Sequence, residues 1–284
     1  MPWFRFVVQS HIWIALGAAM LALLTEIECF ERPSVAPLAV AFSTLLVYNL
    51  LRWVKLKQAE SQQNDLQKAS LSPNMHRGLV LLAALGLAFT LPHLAHAGLL
   101  ILAIAAVPAV GYGLRILPSS VGWSALRELP YVKLPLVALV WTLVTVLYPA
   151  VQAENQIELP SAFVLIYGVE RLFFVLALTI PFDVRDMHLD SQRLRTLPMV
   201  IGPRSSGYVA IAILLLLSGL HLRYGIELTR VIYSVVYVAS AFAIWPLTRR
   251  KLSDLSPMYY TGLLDGLLIL LPASILLLRL VSHV

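Results

Sequence analysis

Three aspartates, Asp183, Asp186 and Asp190, fall where a long apolar segment gives way to an Arg-rich loop, in the run Leu178-Thr-Ile-Pro-Phe-Asp-Val-Arg-Asp-Met-His-Leu-Asp190. Acids are among the residues a membrane helix tolerates least. On a helix, spacings of three, four and seven put all three carboxylates on one face. Like charges so placed repel unless a cation sits among them. A carboxylate-rich, all-oxygen cluster suits Mg²⁺, which takes one or two carboxylates and completes its shell with waters and substrate phosphates. The bland alternative is a polar cap at a membrane boundary, with the acids paired to Arg185, Arg193 and Arg195. Those same arginines would also serve as phosphate donors.

The elements that must position these acids are membrane helices. Of the 284 residues, 59% are hydrophobic and 13% charged, and the mean hydropathy is +0.81; soluble domains are about one quarter charged. Nine apolar segments near the ~20-residue length of a span lie at roughly 8–26, 34–54, 77–95, 97–117, 132–151, 161–182, 206–223, 229–248 and 262–281. Arg5 ahead of the first segment resembles the start of a signal peptide, but no small-residue cleavage site follows, so a retained span is expected. The lone Cys29 excludes an internal disulfide and a Cys-based metal site.

With the N-terminus inside, the inner loops carry Arg5, Lys55, Lys57, Lys68, Arg77, Arg115, Arg127, Lys133, Arg185, Arg193, Arg195, Arg204 and Arg249 to Lys251. The outer side carries Arg32, Arg223, Arg230 and Arg279. Fifteen against four is a positive-inside pattern. It supports the count of nine and puts the N-terminus and the working loops in the cytoplasm. It also accounts for the net charge of +6 without nucleic acid, which would need a contiguous basic stripe. The inner loops (55–76, 118–131, 183–205, 249–261) are long and the outer turns short, as in a bundle with its mouth on the inner face. Residues 55–77 have room for one interfacial helix before Ser72-Pro73. Pro181, two residues before Asp183, is placed to open the backbone and tilt the acids towards a cavity.

The run from Asp183 through Arg193, Arg195-Thr-Leu-Pro198 and Ile201-Gly202 resembles the second aspartate-rich motif of the UbiA superfamily of intramembrane prenyltransferases, D-x-x-D-x-x-x-D followed by a basic residue and Thr-Leu. The motif falls after the sixth span, as in that family, and nine spans with an inner mouth also fit. The resemblance implies an all-α integral membrane bundle of nine helices, a single UbiA-like domain over 1–284, in a bacterial inner membrane. It implies Mg²⁺-assisted ionisation of an isoprenyl diphosphate donor and transfer of the prenyl group to a lipophilic or aromatic acceptor reached from membrane lipid. Asp183, Asp186 and Asp190 would be the metal and catalytic acids. The family's first motif, N-D-x-x-x-D or N-x-x-x-D, should end the second span, where this chain has Tyr48-Asn-Leu-Leu-Arg-Trp-Val-Lys55. Asn49 matches its leading position. Both aspartates are absent, and two acid clusters normally hold two metals across the diphosphate. Either Arg52, Lys55 and Lys57 contact the phosphates directly, or the chain binds without cleaving.

In the family a tyrosine and a basic residue between the fourth and fifth spans line the diphosphate pocket. Tyr112 with Arg115 and Tyr131 with Lys133 both qualify, and Lys133 is preferred. The resemblance groups Asn49 with the catalytic residues near the phosphates, a helix–helix hydrogen bond being the equal alternative for it, and makes Arg52, Lys55, Lys133 and Arg193 the expected diphosphate ligands. Glu170 and Arg171, adjacent within a span, should pair with other helices rather than each other. Asp265 is expected first in a helix-packing hydrogen bond and second in a polar chamber wall. The scattered histidines lack zinc-ligand spacing. Trp3, Trp53, Trp123, Tyr131, Trp245, Tyr259 and Tyr260 read as interfacial belts, while Tyr48 and Trp53 could offer an aromatic face to a carbocation. A membrane terpene cyclase on the same scaffold and a non-catalytic polyprenyl-phosphate or lipid binder are the alternatives. Acceptor identity and oligomeric state are not readable.

Overall fold

The computed structural model describes residues 2–31, 33–60, 71–114, 117–119, 122–154, 161–187, 194–223, 225–249 and 255–282. Among them, nine helices are long and apolar enough to cross a membrane, and the chain is an integral multi-pass membrane protein. In chain order the helices are α1 (Pro2–Gln9), α2 (Ile12–Phe30), α3 (Ala36–Glu60), α4 (Pro73–Thr90), α5 (His96–Gly113), α6 (Lys133–Thr142), α7 (Tyr148–Glu154), α8 (Ala162–Asp186), α9 (Leu197–Ile201), α10 (Pro203–Arg223), α11 (Leu228–Ile244), α12 (Pro246–Arg249) and α13 (Asp265–Ser282). A two-stranded antiparallel ribbon, β1 (Leu117–Ser119) and β2 (Gly122–Ser124), lies in the loop after α5.

The expected first span is displaced. Residues 2–9 form the separate helix α1, and the span begins at Ile12 because His11 turns the chain with a left-handed φ of 63°. Trp3 and Phe6 of α1 are exposed while Val8 packs inwards, as in a helix lying along an interface. Ser72 caps α4, its hydroxyl accepting from the Met75 N–H at 3.3 Å. The interfacial helix expected within 55–77 lies largely outside the described residues, and α3 itself continues to Glu60.

Two spans contain a π-helical turn. Leu143–Leu147 joins α6 to α7, and Tyr259–Leu264 leads into α13. A wider turn leaves backbone carbonyls less well used, and side chains take them. The Thr25 hydroxyl donates to the Thr145 carbonyl at 2.6 Å, and the Trp13 indole N–H donates to the Gly262 carbonyl at 3.0 Å.

Helices α2, α3, α8, α10, α11 and α13 pack side by side around a core of leucine, alanine and aromatic side chains. At the end opposite α1, a polar network ties them together. The Tyr237 hydroxyl donates to Glu170, which also meets His221 Nε2 at 3.1 Å. The Tyr167 and Tyr233 hydroxyls lie 3.0 Å apart. Arg171 donates to the Tyr167 hydroxyl at 3.1 Å and to the Leu21 carbonyl at 3.3 Å. Glu170 and Arg171 thus take different partners, as their 100° separation on the helix requires.

Close helix approach rests on glycine at several positions, Gly113 and Gly86 among them. A Cβ on Gly113 would stand 2.6 Å from Leu51, and one on Gly86 would overlap the Phe42 ring. Gly86→Val is therefore expected to lower the thermal midpoint of the detergent-solubilised protein, overpacking typically costing about 1–3 kcal/mol. Adding Phe42→Ala should restore part of the loss in the same thermal scan. No loss in the single variant would contradict the α3–α4 contact.

Candidate functional site

One end of the bundle holds a cavity of ≈560 Å³. It lies at the end where α2, α6 and α13 begin and α3, α5 and α8 finish. Helical periodicity decides which residues reach it. On α3 the lining residues Tyr48, Leu51, Arg52 and Lys55 follow the i, i+3, i+4, i+7 pattern. On α8, Val175, Leu178, Thr179, Phe182, Asp183 and Asp186 do the same. Helix α8 runs unbroken through Pro181 to Asp186, so its last turns carry the first two acids of the motif.

Asp183 is fully buried, and Lys133 Nζ, the first residue of α6, stands 2.9 Å from its Oδ1. The same ammonium is 3.9 Å from Asp186 Oδ2. Arg185 holds the other side of Asp186, its Nε donating to Oδ1 at 2.7 Å. The Arg185 guanidinium lies over the rings of Phe182 and Tyr260, at 5.2 and 5.3 Å. The acid pair therefore already binds positive charge at the cavity wall. Asp190 and Arg193 lie outside the described residues, as does Arg115 of the rival tyrosine-basic pair.

The opposite wall is basic. Arg52 and Lys55 project from α3, and Arg127 joins them from the connection before α6. Arg127 had been read only as part of the inner-loop charge bias. It lies between the fourth and fifth spans, where the resemblance already expects a basic residue, and that was the available signal. Tyr112 also lines the cavity, whereas Tyr131 is exposed and Trp53 does not reach it. The Tyr131 N–H instead donates to the Leu194 carbonyl at 3.2 Å, tying the loop before α6 to the turn before α9. A smaller cavity of ≈280 Å³ on that side shares Lys133 and Asp183 with the main one, so their ion pair forms the partition.

The structure corrects the reading of Asn49. This residue is fully buried and off the cavity. Its amide donates to the Ser10 carbonyl at 3.0 Å and the Leu45 carbonyl at 2.9 Å, and its Oδ1 meets His76 Nδ1 at 2.7 Å. It anchors the corner between α1 and α2 to α3 and α4. The reason is rotation: next to Tyr48 on the helix, Asn49 points about 100° away from the cavity stripe. Asp265 is corrected the other way. It lines the cavity beside Thr261 and Leu268, and no hydrogen bond to it is made among the described residues, so the helix-packing role gives way to the chamber wall. Tyr260, read as an interfacial ring, is buried in the core.

The donor set fits one Mg²⁺ on the α8 side. Asp183 and Asp186 supply the one or two carboxylates such an ion uses, with phosphate oxygens and water completing the shell. Among the described residues the α3 wall supplies no carboxylate, and those residues do not fit a second ion.

No protein-family model matches the sequence, and no curated protein matches it either. Solved structures do. A UbiA homolog from Aeropyrum pernix K1, in its apo state, aligns with TM-score 0.61 over 97% of this chain and 99% of its own, at 16% identity. A UbiA homolog from Archaeoglobus fulgidus, bound to DMAPP and Mg²⁺, gives 0.59 over 95% and 98%, at 14% identity. A digeranylgeranylglyceryl phosphate synthase gives 0.54 over 96% and 95%, at 13% identity. The chain has the UbiA fold. The resemblance read from twenty residues of sequence is thus met by the path of the whole backbone.

Two measurements check the corner at His11 and Asn49. Asn49→Leu should lower the thermal midpoint, since stranding a buried polar partner costs about 1–3 kcal/mol; an unchanged midpoint would refute the anchoring role. His11, ahead of the first span, has its imidazole pushed down from 6.5 to about 4, chiefly by burial and further by His76 and Arg52. Between those values the unfolded chain binds more protons than the folded one. The contribution is complete above pH 6.5 and is lost as pH falls towards 4. Acid should therefore lower the midpoint of the wild type more steeply than that of His11→Gln, and parallel pH profiles would contradict the assignment.

Proposed function

We propose that this chain, as a single UbiA-like domain over residues 1–284, is a Mg²⁺-dependent intramembrane prenyltransferase. Its donor is an isoprenyl diphosphate and its acceptor a lipophilic or aromatic molecule arriving through the membrane. The cavity mouth and the N-terminus face the cytoplasm, in accord with the basic inner loops; a bacterial inner membrane is the proposed location. The observation that carries this reading is the division of the cavity. Its floor of Leu134, Val137, Val140, Val175 and Leu178 is apolar, and its rim sets the acids of α8 against the cations of α3. A prenyl diphosphate has the same two parts. UbiA homologs of this fold from Archaeoglobus fulgidus are bound to DMAPP or GPP with Mg²⁺.

In the reaction, the allylic carbon–oxygen bond breaks and the electron pair leaves with the diphosphate. A new bond forms from that carbon to the acceptor, which then loses a proton. Bound Mg²⁺ supplies charge neutralisation on the leaving group. Asp183 and Asp186 would hold it, with Asp190 as a further ligand or support. Lys133, Lys55, Arg52 and Arg193, with Arg127 added by the geometry, would hold the phosphates. Tyr48 and Trp141 line the chamber where positive charge develops, and aromatic faces there stabilise it.

A non-catalytic binder is the second reading, favoured by the Lys133 ammonium lodged against both acids. Pyrophosphate release separates the two. The protein in nanodiscs, given geranyl or geranylgeranyl diphosphate, Mg²⁺ and a lipid extract as acceptor source, should release pyrophosphate. Asp183→Asn and Asp186→Asn should each slow release by about 100-fold or more, the worth of several kcal/mol of charge stabilisation. Exposed Arg204→Gln should leave it unchanged. Equal release from Asp186→Asn would sink the assignment, and donor binding without release by the wild type would favour the binder.

A further inference from the structure

The lining of the main cavity is not charge-neutral. Arg52, Lys55, Arg127, Lys133 and Arg185 face Asp183, Asp186 and Asp265, an excess of two positive charges within a largely apolar wall. Among the described residues neither Arg52, Lys55 nor Arg127 stands in an ion pair, whereas Lys133 and Arg185 both do. Lys55 lies within electrostatic reach of Arg52, Arg127 and Lys133, and of Asp186 on the α8 side. Cations crowded together in a poorly solvated space repel, and the arrangement costs free energy unless an anion enters. Arg52 and Lys55 are one helical turn apart on the cavity stripe of α3, so both reach the same side of a ligand. Among the described residues no carboxylate of α3 lines that wall.

We propose that the α3 wall is a metal-free phosphate seat: Arg52, Lys55 and Arg127 bind the diphosphate directly, and the chain uses one divalent ion, on the α8 side. The proposal rests on the prenyl diphosphate reading and deepens it. A guanidinium offers paired N–H donors to phosphate oxygens, and an ammonium adds a point charge. Together they do the work that carboxylate-bound metal would do on the same side of the diphosphate. An anion of two or more charges cancels the excess, so pyrophosphate and prenyl diphosphates fit where a neutral lipid or a monoanion does not.

The test is calorimetric binding of inorganic pyrophosphate and of geranyl S-thiolodiphosphate to the full chain in nanodiscs, in EDTA and in MgCl₂. Binding in EDTA is expected within about tenfold of that in Mg²⁺, from the worth of the remaining charge-assisted hydrogen bonds. Mg²⁺ titrated into the thiolodiphosphate complex should saturate at one ion per chain. Arg52→Gln and Lys55→Gln should each weaken the EDTA binding about tenfold or more, with thermal midpoints confirming that they fold. Arg52→Lys should recover part of the loss, and Arg204→Gln should change nothing. Binding seen only with Mg²⁺, at two ions per chain, would overturn the seat and leave the prenyltransferase reading intact. Binding in EDTA that Arg52→Gln and Lys55→Gln do not weaken would also overturn it. Binding in EDTA by a protein that never releases pyrophosphate would support the seat and overturn the transferase. No binding under any condition would overturn both.

Discussion

The contact between Lys133 and the two acids of α8 governs the working end of this protein. Each partner sits at the wrong end of its helix. Asp183 and Asp186 occupy the last turns of α8, where exposed carbonyls already make the end negative. Lys133 opens α6, where free N–H groups make the end positive. Alone, each charge would oppose its own helix end in a partly dry setting. Facing each other at 2.9 Å they neutralise, and α6 is held against α8. The same arrangement makes the site exchangeable. An anion that engages Lys133 frees the acids for a cation, and a cation on the acids frees Lys133 for an anion. Ligand charges replace partners that are present instead of creating unpaired ones.

The polar network at the other end shows what a closed arrangement looks like. Glu170 and Arg171 are intramembrane charges, which by default suggest a site. Here their needs are met within the bundle by tyrosine hydroxyls, His221 and a backbone carbonyl. His221 also stacks on Tyr233, centroids 4.5 Å apart and planes 4° from parallel. Such a network fixes α2, α8, α10 and α11 relative to one another. The cavity end, by contrast, leaves Arg52, Lys55 and Asp265 facing open volume. The difference between scaffold and site lies in whether the polar groups have already found each other.

The spans were legible because hydropathy acts over about twenty residues and needs no knowledge of partners. Their ends were less so. Nothing in the run around Ser10-His11 announces a corner, since the left-handed turn falls on a histidine and not on a glycine. The acids of α8 were legible because their spacing matches one helix face. Asn49 was misread because matching a motif position says nothing about rotation, whereas the stripe Tyr48, Leu51, Arg52, Lys55 was present in the sequence and excludes it. Asp265 follows the same logic: with Thr261 and Leu268 it forms an i, i+4, i+7 stripe. Which neighbour that stripe meets depends on tertiary packing, and no single segment encodes that. Arg127 sits in a connection with no periodicity to read.

This explains how the wall opposite the acids can change character while the fold stays the same. The cavity face of α3 is set by Leu51 packing against Gly113 and by Asn49 locking the reverse side to α1, α2 and α4. Neither interaction involves the charge carried at positions 52 and 55. Long basic side chains at the end of a span keep their stems among apolar neighbours and carry their heads to the polar rim, so they are tolerated there without a partner helix. Acids at the same positions would need a cation to neutralise them, as Asp183 needs Lys133. The backbone therefore permits either sign on that wall, and the residues present select one. With Arg52 and Lys55 in place, the rim of the cavity carries cations on the α3 side and acids on the α8 side.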